Sequence, residues 1–138
     1  MLDFNSLWPA LAIVFTAVVG AFAYWYQKWL DRKASLLELR RKKYVEFMNA
    51  LVGVGGKTTP EALMAYNKAR AALIVCASDH VVVCVGKFSN YMANTPTAER
   101  NPDQYKSLIT EMVFQMRRDC FEKSKLDLSQ LKTMLPVE

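Results

Sequence analysis

Cys76, His80 and Cys84 stand four residues apart in the middle of the chain. On a helix, residues at that spacing share a face, and a thiolate beside an imidazole can hold zinc. The outer two would lie about 12 Å apart along the axis, while a Zn–S bond is about 2.3 Å, so the three cannot close on one ion. No fourth ligand is visible in the sequence. The expectation is two small buried thiols and a helical histidine, with no metal and no cofactor. A second set is charged: Asp79, Arg117, Arg118 and Asp119. If segments 60–94 and 103–125 pair antiparallel, position 94 faces 103 and position 79 faces 118. That register predicts a structural polar network between Asp79 and the Arg117–Arg118 pair. No nucleophile accompanies it, so the chain reads as a non-enzyme.

Two further patterns invite chemistry. Gly55-Gly56-Lys57-Thr58 has the letters of a phosphate loop. That motif needs a glycine at position 51, which is Leu51, and a helix directly after the lysine, where Pro60 intervenes. An interhelical loop is the expectation. Met48, Met64, Met92, Met112 and Met116 can form an adaptable binding surface, but their helical spacing reads as core filling.

The elements that carry these groups are organised around residues 7–26, which hold no charged side chain. As a helix this run is roughly 30 Å long, the thickness of a bilayer's hydrocarbon core. Trp8 at one end and Trp25, Tyr26 and Trp29 at the other match two interfacial belts, with Trp8 and Trp25 about 26 Å apart. Pro9 falls in the first turn, where its missing N–H costs least. Asp3 is the one charged side chain before the run, whereas Lys28, Arg32, Lys33, Arg40, Arg41, Lys42 and Lys43 follow it against Asp31 and Glu38. Cationic flanks stay cytoplasmic, which predicts a single-pass inner-membrane protein with its N-terminus outside. Ala21-Phe22-Ala23 resembles a signal-peptide cleavage site. The run nevertheless lacks a basic leader and is followed at once by aromatic and basic residues, so an anchor is expected.

The net charge is +5. Residues 28–43 contribute seven cations and two acids, leaving eleven of each sign elsewhere. A pI near 9.2 would otherwise point to nucleic acid. With the excess confined next to the anchor, anionic lipid headgroups are the expected partner of Lys28, Arg32 and Lys33, and nucleic acid is not. Three cysteines without short spacing form no disulfide framework and suit a reducing compartment.

Residues 27–52 continue in helical period, with Leu30, Ala34, Leu37, Arg41, Tyr44, Val45 and Met48 on one stripe, stopped by Gly53. Thr59 caps the next helix and Pro60 begins it. Residues 60–94 are too long for a straight return to the membrane, which predicts a break near Ala77–Asp79, with Gly86 second. Val81–Val85 alone would suit a strand but has nothing to pair with. A polar loop with Pro96 and Pro102 precedes a helix over 103–125, with Tyr105, Ile109, Met112, Met116, Cys120 and Lys123 on one face. Leu128, Leu131 and Leu135 mark a short last helix capped by Asp127 or Ser129 and ended by Pro136.

Ala77-Ser78-Asp79-His80-Val81, the later Phe88, Met116-Arg117-Arg118-Asp119 and the upstream basic helix Arg40–Phe47 together resemble a pattern in small bacterial helical proteins of uncharacterised function. There it reads roughly (G/A)-S-D-x-V, an aromatic, then M-R-x-D. The likeness covers about residues 36–121, and the chain departs from it at His80, where an acid is more usual. It implies an all-helical fold and a membrane tether, and brings no activity.

The expected architecture is all-α: an anchor over 1–27 and an antiparallel bundle of three or four helices over 28–138. The expected function is a membrane-tethered interaction or scaffold module that oligomerises or holds a partner. The alternative is a membrane-active effector, a small oligomeric pore or a stress or phage-defence component, using the small-residue face of Thr16, Ala17, Gly20 and Ala21.

Overall fold

The computed structural model describes residues 4–56, 59–121 and 125–134. All regular structure there is helical: α1 (Phe4–Gly56), α2 (Pro60–Cys76), α3 (Asp79–Asn94), α4 (Pro102–Cys120) and α5 (Leu128–Met134), with a 3-10 turn at Thr97–Glu99. Val81–Val85 is therefore helix. The chain divides into two units, one up to Glu38 and one from Leu39 onward.

In the first unit, α1 carries a segment long and apolar enough to cross a membrane, none of it buried. Trp8, Ile13, Phe15 and Phe22 are each about 70% exposed. Trp29 stacks on Tyr26 and Trp25 meets Phe22 at a tilt of 44°, with centroids 6.0 Å apart in both pairs. Lys28 and Lys33 sit over the Tyr24 and Trp29 rings, each at 5.8 Å. Arg32 is exposed beside them. Asp3 lies outside the described residues.

The second unit holds the core. Phe47, Leu73, Val81, Val85, Phe88 and Met112 are fully buried, and Tyr44, Leu51, Ile109, Met116 and Cys120 join them. The last turns of α1 supply Tyr44, Phe47 and Leu51, at the three-and-four spacing of one helix face. Phe47 meets Tyr66 of α2, and Phe88 of α3 meets Tyr105 of α4. Helix α3 packs on α4, and α4 on α5 through buried Leu131.

Helix boundaries follow local chemistry, with corrections. Helix α1 runs through Gly53 to Gly56, four residues past the expected stop. Glycine permits left-handed backbone but does not require it, and no described glycine has positive φ. Gly55 and Gly56 thus belong to a helix, and Lys57 and Thr58 lie outside the described residues. Thr59 accepts a capping bond from the Ala62 amide at 3.2 Å. The break falls at Ala77–Ser78, both extended, with ψ of 159° and 157°. Ser78 holds the N-cap position of α3, yet its hydroxyl makes no capping bond. Gly86 continues inside α3. Asn101 caps α4 through the Asp103 and Gln104 amides. Helix α4 stops at Cys120, five residues before the expected end, and Lys123 lies outside the described residues. Asp127 accepts from the Leu128 amide at 2.7 Å, opening α5; Leu135 and Pro136 are beyond the description.

Candidate functional site

The densest polar cluster forms where the end of α2, the start of α3 and the end of α4 meet the side of α1. Arg40, Arg41 and Tyr44 project from neighbouring positions of α1. Arg40 Nε donates to the Cys76 carbonyl at 2.7 Å, and its Nη1 donates to Asp119 Oδ1 at 3.1 Å. Tyr44 donates its hydroxyl hydrogen to Asp119 Oδ2. Arg41 Nη2 donates to the Cys120 carbonyl at 3.0 Å. The two arginines thus reach the C-terminal carbonyls of α2 and α4, which have no partner within their own helices and carry the negative end of the helix dipole. Asp119 neutralises part of the imported charge and is only 11% exposed in its side chain.

Burial pushes the Tyr44 hydroxyl well above the ordinary phenol range, and the hydrogen bond to Asp119 and its charge push the same way. Tyr44 therefore stays a proton donor to the carboxylate. Burial also raises the Cys76, Cys84 and Cys120 thiols, with the Glu111 charge adding to the effect at Cys84. A raised thiol carries less thiolate, the form that attacks or binds metal.

The charged set foreseen from sequence is arranged differently. Asp79 is exposed in the first turn of α3, and among the described residues it pairs with neither Arg117 nor Arg118. Arg117 lies over the Phe121 ring at 5.3 Å, and Arg118 over Phe114 at 5.8 Å. The acid that recruits arginine is Asp119, and its cation comes from α1, 79 positions upstream. Counting along an α3/α4 hairpin could not find it, because the partner belongs to a third helix. A signal was present: Tyr44 puts a hydroxyl into an apolar stripe, and a polar group on a buried face needs a partner.

Cys76 closes α2 while His80 and Cys84 lie in α3, so the helix break separates Cys76 from the other two; His80 and Cys84 keep their i, i+4 spacing, with His80 exposed and Cys84 buried. Among the described residues no group of three or more His, Cys, Asp and Glu is placed to hold a metal. Met112 and Met116 are core; Met48 and Met92 pack against it, and Met64 is exposed.

Two clefts flank the cluster. One, of about 360 Å³, is polar and lined by Ser78, His80, Gln115, Arg118 and Asp119. The other, of about 530 Å³, is an apolar groove between α1 and α4. Tyr44, Val45 and Met48 form one wall and Val113, Met116 and Phe121 the other, with Arg41 and Arg117 among the lining.

Comparison with protein-family models, with curated proteins and with solved structures finds no match.

Proposed function

We propose that the chain is a single-pass, membrane-tethered helical module that oligomerises or holds a protein partner at the cytoplasmic face of the inner membrane. The observation that carries this reading is the fully exposed apolar segment of α1, bounded by aromatic rings and followed by cations. An apolar helix surface of that length is costly in water and stable in hydrocarbon. Lys28, Arg32 and Lys33 contact anionic headgroups, while Trp8, Trp25, Tyr26 and Trp29 anchor the two interfaces. The cation excess after the run supports an outside N-terminus.

Residues from Leu39 onward form an antiparallel bundle in this reading. Support comes from the falling and rising order of paired residues in α3 and α4: Tyr91 bonds Asn101, Phe88 meets Tyr105, and Lys87 pairs with Glu111 at 3.4 Å. Ile74, Val75 and Val83 remain exposed on α2 and α3, and they are the surface offered to a second copy or a partner.

Mass photometry of the full-length protein, crosslinked in native membranes, tests the proposal. A discrete homo-oligomer or a stoichiometric complex is the expected result. A lone monomer with nothing crosslinked would overturn it. A second reading, a small membrane-active oligomer, draws on the exposed Thr16, Ala17, Gly20 and Ala21, where Gly20 has open space around it. That reading requires dye leakage or depolarisation on overexpression; silence in both assays removes it.

A further inference from the structure

The groove between α1 and α4 has an unequal pair of ends. Its lining spans residues 41–49 of one helix and 113–121 of the other, about 12 Å along each. Val45, Met48, Val113 and Met116 make it apolar over most of that length. At one end two guanidinium groups converge on the same ring: Arg41 at 4.8 Å and Arg117 at 5.3 Å from the Phe121 centroid. None of the described lining residues is acidic.

The two cations are not equally satisfied. Arg41 has the Cys120 carbonyl. Arg117 has no carboxylate within ion-pair distance among the described residues, and its Nε is buried without an acceptor. A half-buried cation without a counter-ion is costly, because part of its hydration is lost and nothing replaces it. An anion arriving at this end would restore that balance, and the planar guanidinium fork fits a carboxylate. The size and lining match a small-molecule cleft: a few hundred cubic ångströms, mostly apolar walls, and a few polar groups that fix orientation.

We propose that this groove binds a free medium-chain fatty acid, whose extended chain matches the groove's length of about 12 Å, its carboxylate on Arg117 and Arg41 and its chain along Val45, Met48, Val113 and Met116. A single apolar chain suits a trough whose walls are one row of side chains from each helix. A second copy presenting the same face would bring arginine against arginine. This ligand is separate from the protein partner proposed above, and either can stand without the other.

A medium-chain fatty acid carrying a diazirine at mid-chain tests the site, with the full-length protein in nanodiscs and adducts mapped by mass spectrometry. Adducts should concentrate on the peptides holding Met48 and Met116. Decanoate should compete them away, and its methyl ester, which lacks the charge, should not. Arg117→Met should reduce labelling about tenfold while helical content by circular dichroism is kept. Val45→Trp, which fills the groove and leaves both arginines in place, should reduce it as well. Equal competition by the methyl ester, equal labelling by a diazirine phospholipid, or adducts confined to residues 11–26 would each overturn the proposal.

Discussion

Two apolar stretches, residues 11–26 and 71–85, look alike in composition and end in different surroundings. The first buries nothing over its whole length. The second places Leu73, Val81, Cys84 and Val85 in the core and leaves Val75 88% exposed. What separates them is continuity. The first runs without a break for about 24 Å inside a longer helix, so its whole circumference is free to meet one apolar solvent. The second is interrupted at Ala77–Ser78, and the two short helices turn different faces to their neighbours. Apolar content alone does not separate the two; uninterrupted length, aromatic ends and full exposure mark the first as the candidate span.

The contrast can be broken most severely in the core. Leu73→Ala removes a fully buried side chain and is expected to cost about 3 kcal/mol in denaturant unfolding of the second unit, whereas Val18→Ala should leave that transition unmoved. Val18→Arg reverses the roles: it should place a charge in hydrocarbon at a cost of about 3 kcal/mol and move protein from the membrane to the soluble fraction, with no lost core contact. Asp119→Ala probes what joins the core's helix ends. It leaves Arg40 without its carboxylate and should cost about 2–3 kcal/mol by urea unfolding.

Tyr44→Phe sharpens the same point at smaller scale, costing about 1 kcal/mol at neutral pH. It also carries a pH signature. Because the folded state holds the Tyr44 proton more tightly than the unfolded state, this group's stabilisation is complete below about pH 10 and is lost as pH rises further. The wild type should therefore lose stability faster than Tyr44→Phe above pH 10; parallel alkaline limbs would refute the assignment. Smallest of all, Val75→Ser on the exposed face of α2 should change unfolding by under about 0.5 kcal/mol, yet lower any crosslinked oligomer yield if that face is the docking surface.

Much of the helical layout is visible in sequence, because it follows from local causes. Thr59-Pro60 and Asn101-Pro102 start helices by capping and fixed φ, and Ser78-Asp79 marks a break that length alone demanded. The helix end at Gly56 is not legible: Gly53 reads as a stop after Val52, but glycine's permissiveness does not force a turn. The Asp119 cluster was only half legible. Its acid and arginines are plain, but which of them meet depends on how the end of α1 lies across α2 and α4. The groove beside it depends on the same packing, and no spacing rule announces it.

The separation of Tyr44 and Asp119 by 75 positions also sets a clock. At about 5–20 residues per second, some 4–15 seconds pass between synthesis of the tyrosine and of the aspartate that accepts its hydrogen bond. Through that interval Phe47 and Leu51 have no α4 to cover them, and the nascent chain is open to chaperones and proteases. Substitutions in α4 that weaken its closing contact should therefore lower the yield of protein from the ribosome before they alter the finished molecule's melting point.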